Sequence, residues 1–201
     1  MTRPRLLDLF CCQGGAGKGY TDAGFDVTGV DIEPQPRYPY DFHQADALEY
    51  LAERWRDFDV VHASPPCQRY ANVTQWRGSA GDHPDLLDPT RQLLNRIGLP
   101  YVLENVPEAP IRADYLLCGS QFGLSIRRHR AFETSWRGFS LIQPCQHRGD
   151  DLPFMHKGER AYADALGCPW MSSKGGREAI PPAYTRYVGE QLLEHLRQAA
   201  A

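Results

Sequence analysis

Leu6-Leu7-Asp8-Leu9-Phe10-Cys11-Cys12-Gln13-Gly14-Gly15-Ala16-Gly17 is the stretch that decides the fold. The apolar run 6–10 predicts a strand, the glycines a turn and residues 18–23 a helix, after which residues 27–30 form a second strand ending at Asp31. A strand, turn, helix and strand in this spacing make half of a nucleotide-binding fold. In that setting the backbone at Gly14 and Gly15 can approach a ligand while helix N–H groups face it. Asp31 is placed to accept hydrogen bonds from ribose hydroxyls, and Asp46, where a third strand should end, to accept from an adenine amino group. Each carboxylate has a second reading as a helix cap, and the glycines as a tight turn without a ligand.

Outward from this unit the rhythm continues. Residues 47–56 and 89–97 read as helices, and 60–63 and 101–103 as strands, which predicts an α/β chain with a mostly parallel sheet and helices on both faces. The strand at 60–63 runs into Ser64-Pro65-Pro66-Cys67-Gln68. In open α/β sheets ligands gather beyond the carboxyl ends of strands, so a thiol there is presented as a nucleophile. A buried inert cysteine is the alternative.

The chain has 201 residues, which suits a single domain with a core of its own. No run approaches the roughly 18 apolar residues of a membrane span. The N-terminus lacks the pattern of a signal peptide, and with six cysteines taken as free thiols this predicts a cytoplasmic protein. The net charge of −3 argues against wholesale coating of nucleic acid. A local site is compatible with it, because Arg127, Arg128, Arg130, Arg137 and Arg148 stand against the single acid Glu133 between residues 125 and 148.

Taken in order, Asp8-Leu9-Phe10-Cys11-Cys12-Gln13-Gly14-Gly15, Ser64-Pro65-Pro66-Cys67-Gln68, Glu104-Asn105-Val106, Arg128-His129-Arg130 and Ala179-Ile180-Pro181-Pro182 resemble the motifs of the cytosine-C5 DNA methyltransferases. The resemblance covers nearly the whole chain and is nearest to short, phage-type members. It implies a Rossmann-like S-adenosylmethionine-dependent methyltransferase fold and transfer of a methyl group to C5 of a flipped cytosine. Cys67 matches the nucleophile that adds to C6, and Glu104 the acid that bonds N3 and the exocyclic amine. Arg130 is expected near the base O2, with Arg128 in support and Asn105 positioning the strand end through its backbone. Phe10, Gly14, Gly15, Asp31, Ile32, Asp46, Ala47 and Pro66 match the cofactor contacts. The implied partner is double-stranded DNA, met by a monomer in the cytoplasm, of the host if phage-encoded. Restriction evasion is the role the resemblance suggests. RNA or a free cytosine nucleotide as substrate, or a silent binding subunit, are the alternatives.

Residues 1–201 then form one catalytic domain, 69–89 a mobile catalytic loop, and 137–176 a reduced target-recognition insertion. Only 46 residues separate Arg130 from Arg177. Trp136, Arg137, Gln143, His147, Arg148, His156 and Lys157 are candidates for phosphate and base contacts, and Asn72, Thr74, Gln75 and Arg77 for contacts of the loop with the flipped base. Helices are expected at 159–166 and 187–196, the latter packing on the first strand's side. Three departures from the motifs stand out: Cys11-Cys12 after Phe10, Ile126 before the Arg-x-Arg, and Glu178 where asparagine is common. Cys118, Cys145, His147 and Cys168 have zinc-ligand chemistry, but no pair has Cys-x-x-Cys spacing, so no metal is expected.

Overall fold

The computed structural model describes residues 2–139, 141–153 and 160–199. In chain order it contains β1 (Arg5–Leu9), α1 (Gly15–Ala23), β2 (Asp26–Asp31), β3 (Asp41–Gln44), α2 (Ala47–Arg54), β4 (Val60–Ala63), α3 (Asn72–Trp76), α4 (Leu87–Ile97) and β5 (Tyr101–Asn105). After these come β6 (Tyr115–Cys118), β7 (Ile126–Arg127), β8 (His129–Thr134), β9 (Leu152–Pro153), α5 (Ala161–Ala165), α6 (Ser173–Glu178) and α7 (Pro182–Ala199). Glu159, His156 and Lys157 lie outside the described residues.

Seven strands form one sheet in the order β3-β2-β1-β4-β5-β8-β6, while β7 and β9 pair separately. The five strands from β3 to β5 are parallel; β8 runs antiparallel to both β5 and β6. Strand order reverses between β1 and β4, and a doubly wound sheet binds its ligand at that reversal, beyond the carboxyl ends. Phe10 to Gly14 and Ser64 to Cys67 leave the sheet there. Placing β8 between β5 and β6 departs from the dinucleotide-binding order.

Alternation along the strands builds two cores. Leu7, Leu9, Val61, Ala63 and Leu103 pack against Leu51 of α2 and Leu87 and Leu94 of α4. Leu6, Val60, Val102 and Phe132 pack on the other face against Tyr20 of α1 and Tyr184, Val188 and Leu192 of α7. Helices therefore cover both faces, as the sequence predicts.

The two helix starts that differ by three residues or more both trace to α7. It begins at Pro182 rather than 187, because proline is well suited to a first helical turn. The helix α1 begins at Gly15 rather than Lys18. Poor helix propensity is overridden by packing: Pro182 O and the Thr185 hydroxyl fill the space a side chain at Gly19 would need, and Thr185 donates to Ala16 O at 3.0 Å. A Cβ at Gly15 would lie 2.5 Å from Ile180 O. The side-chain space at Gly15 is thus taken by the protein itself, which leaves only its backbone to meet a ligand. Gly14, with φ of 84°, makes the left-handed turn into α1.

Candidate active site

After β4 the chain turns through Pro65-Pro66 to Cys67, which is half-buried. The Asn105 side chain holds this turn: its Nδ2 donates to Pro65 O at 2.9 Å while its Oδ1 accepts from Val106 N at 2.9 Å. The role assigned to Asn105 is therefore performed by its side chain and not by its backbone. Asn105 is 1% exposed, so Asn105→Ala would strand a buried carbonyl. We expect a loss of about 1–3 kcal/mol in urea unfolding, together with reduced turnover as the Cys67 turn loosens.

At the end of β5, Glu104 is 4% exposed. Because β8 is antiparallel, Arg130 near its start comes alongside, and Arg130 Nε sits 2.8 Å from Glu104 Oε1. The contact is an ion pair by distance without hydrogen-bond alignment, since Glu104 Oε1 has no hydrogen-bond partner. Burial pushes the Glu104 carboxyl up from 4.5 to about 7 against the opposing pull of Arg130 and Arg128. Such a group is partly protonated at neutral pH and can donate a proton.

The Cys67 thiol is raised too. Burial is the largest cause, Arg130 and Arg128 pull it down, and Glu104 pushes it up. Positive potential is present as expected, yet burial outweighs it, so the resting residue is a thiol. Arg128 is buried against α5 and α6, with Nη1 donating to Gly176 O at 3.3 Å and its guanidinium 5.7 Å from the Tyr162 ring. Burial lowers it to about 9, with Arg130 adding to the shift. Both arginines act on Cys67 and Glu104. His129 between them approaches Cys145, with Nε2 to Sγ of 3.5 Å.

The crevice between β1 and β4 suits an adenosine. Asp31 receives Cys12 N at 2.9 Å on Oδ2 and Glu33 N at 3.0 Å on Oδ1, and each oxygen keeps a second acceptor site. The neighbouring Ile32 is 65% exposed, an apolar side chain on the surface just beyond β2. Asp46 caps α2, accepting Leu48 N and Glu49 N through Oδ1. The capping reading of Asp46 holds, and Oδ2 is left for a ligand. Ala47 is buried in the first turn of α2, and Phe10, at φ of 60°, packs partly against the core.

Other expected contacts are differently employed. Trp136 stacks on His195 of α7, ring centroids 5.4 Å apart, and His147 Nε2 lies 3.2 Å from Cys118 Sγ. Segment 69–89 contains α3, and its root is tied by Arg69 to Asp85 at 3.3 Å and Asn72 to Glu108 at 2.6 Å. Thr74 and Gln75 bond to backbone carbonyls within the same loop. Trp76 stands 85% exposed.

Sequence reasoning missed Gln13 and Asp8 as structural members of the site. Gln13 Oε1 accepts Ser172 N at 2.8 Å and its backbone oxygen accepts Trp170 Nε1 at 2.8 Å, clamping the C-terminal segment over the glycine turn. Only spatial proximity reveals this pairing across the chain. Asp8 is fully buried, accepts the Tyr38 hydroxyl at 3.3 Å, and is lifted to about 7 by burial. A charged residue at an apolar strand position was the available signal for Asp8.

No family model matches the chain. It is 29% identical, over 96% of its length, to the Type II methyltransferase M.XorII of Xanthomonas oryzae pv. oryzae. The chain spans 45% of that relative. Among solved structures, the methyltransferase EhMeth of Entamoeba histolytica superposes with a TM-score of 0.50 at 16% identity, covering 76% of this chain and 58% of that one. Among the described residues no helix is long and apolar enough to cross a membrane. The sheet, its helical layers and this superposition agree: the chain has the Rossmann-like fold of the S-adenosylmethionine-dependent methyltransferases.

Proposed function

We propose that this chain is the catalytic part of a DNA cytosine-C5 methyltransferase that uses S-adenosylmethionine. The observation that carries the reading is the meeting of a β4-end thiol, Cys67, with a buried carboxyl of raised pKa, Glu104, which Arg130 flanks at 2.8 Å. Likeness to a relative named as a Type II methyltransferase supports it. Cytosine C5 is a weak nucleophile; adding a thiolate to C6 makes C5 reactive. The Cys67 thiol loses its proton to solvent, and its Sγ bonds to C6 as Glu104 gives its proton to N3; Arg130 keeps Glu104 in place and faces the base O2. Pro66 borders the base. Asp31, Ile32, Asp46 and Phe10 hold the cofactor, which supplies an electrophilic methyl group when bound. Once C5 carries the methyl group, loss of the C5 proton to water, departure of the Cys67 thiolate as the C5–C6 double bond re-forms, and return of the N3 proton to Glu104 complete the cycle.

A cytosine in a duplex hides C6 in the stack, so the base must be flipped out, and segment 69–89 with the exposed Trp76 closes behind it. Residues 137–176 supply the recognition of flanking sequence. Incubation with tritiated S-adenosylmethionine and duplex DNA, RNA or dCMP in separate reactions tests the assignment. Label is expected in duplex DNA as 5-methylcytosine. Label confined to RNA or dCMP would move the same chemistry to that substrate, and none in any arm would leave a silent binding protein.

A further inference from the structure

Cys118 ends β6 and His129 begins β8, and the antiparallel register sets them directly opposite each other. The segment after β8 brings Cys145 and His147 to the same place. Cys118 Sγ is 3.2 Å from His147 Nε2, and His129 Nε2 is 3.5 Å from Cys145 Sγ. The four ligand atoms all lie within 4.8 Å of one another. Four atoms bound tetrahedrally to one zinc ion, with Zn–S near 2.3 Å and Zn–N near 2.0 Å, have sulfur-to-nitrogen edges of about 3.5 Å. Both measured edges are close to that length.

We propose that Cys118, His129, Cys145 and His147 bind a structural Zn²⁺ ion that fastens the segment following β8 to the edge of the sheet. Two thiolates and two imidazoles form a closed set with no position for substrate, the pattern of structural rather than catalytic zinc, and two thiolates neutralise the ion. The surroundings support the ligands: the Ser120 hydroxyl donates to Cys118 Sγ at 3.7 Å and accepts Gln146 N at 3.0 Å. The segment also needs a fastening, since Phe139 and Leu141 on it are 71% and 84% exposed and contribute little core. Cys168, grouped with these residues by chemistry, sits fully buried and donates to Leu166 O at 3.6 Å. The expectation of no metal followed from the missing Cys-x-x-Cys; a strand pair and a loop assemble the set instead.

Metal analysis of the full chain, purified without chelator, is expected to find about one zinc per molecule. Chelator-stripped protein refilled with Co²⁺ should show the thiolate-to-cobalt charge-transfer absorption of a tetrahedral site, a readout independent of activity. Cys145→Ser and His147→Ala, both on the loop, should lose the zinc, and Cys168→Ser should retain it. Absence of zinc together with no Co²⁺ or Zn²⁺ uptake by the stripped protein would overturn the site. So would full metal content in the Cys145→Ser, His147→Ala double variant.

Discussion

Cys67→Ala is expected to reduce methyl transfer by on the order of 10⁴-fold or more, the scale on which an enzyme loses rate when its nucleophile is removed. The site offers no second thiol to take over, because Cys11 is buried and burial, aided by the negative charges of Asp8 and Asp31, drives its ionisation far above the ordinary range. Cys12, which reaches the surface, is also raised, to about 12, by partial desolvation and by the negative charge of Asp31. Duplex DNA containing 5-fluorocytosine should trap a covalent complex with the wild-type chain, visible by mass, and none with the variant. A variant that still methylates cytosine would dispose of the covalent mechanism. Because burial raises Cys67 at rest, iodoacetamide should modify it slowly at neutral pH and faster as the pH passes the ordinary thiol value of 9.0. Activation then belongs to the closed complex, in which Arg130 and Arg128 favour the thiolate and the Cys67 proton leaves to solvent as Sγ bonds to C6.

Glu104→Gln should separate catalysis from stability. Loss of the proton donor is expected to cost about 10²–10⁴-fold in turnover, and in the wild type, turnover that needs the protonated carboxyl should decline as pH rises through about 7. The stability effect has the opposite sign. A carboxyl whose folded pKa is raised keeps its proton in the folded chain after the unfolded chain has lost its own, so stability falls from about pH 4.5 upward until the folded group ionises near 7. At about 1.4 kcal/mol per unit the rise from 4.5 to about 7 amounts to roughly 3 kcal/mol. The glutamine variant should therefore melt higher than wild type at pH 8.5 and close to it at pH 4. Asp8, also raised to about 7, keeps part of the decline in both. Equal destabilisation at both pH values would mean that Glu104 serves chiefly as an ionised partner of Arg130.

The parallel half of the fold was legible because β1, β2, β4 and β5 are short, largely apolar runs that stop at a chemical residue: Phe10, Asp31, Cys67 and Glu104 all follow or end such runs, whereas β3, Asp41–Gln44, carries no such run. The catalytic grouping was readable for the same reason, since strand ends converge whatever the loops do. Less was legible where residues do double service. Gly15, read as a ligand-binding glycine, and Gly19, placed in a helix, also lack side chains so that the carbonyls of Ile180 and Pro182 can approach. Asp46 carries a cap whether or not a ligand is present. Trp136 and His147, read as exposed contacts, found partners in His195 and Cys118 that no local pattern announces. The antiparallel placement of β8 leaves no trace in periodicity either, and it is what turns Arg130 toward Glu104.

That reversed strand also governs where the chain travels next. β8 starts at the reactive rim and finishes at Thr134, beside Val102 and the opposite rim of the sheet, so the following residues must climb back before Cys145 and His147 reach Cys118. Cys67, Glu104 and Arg130 all precede this climb, whereas the Ala179-Ile180-Pro181-Pro182 segment and α7 follow it. The ascent therefore separates the reactive-rim residues from the C-terminal segment along the chain, and α7 packing on α1 brings the two ends of the sequence back into one core.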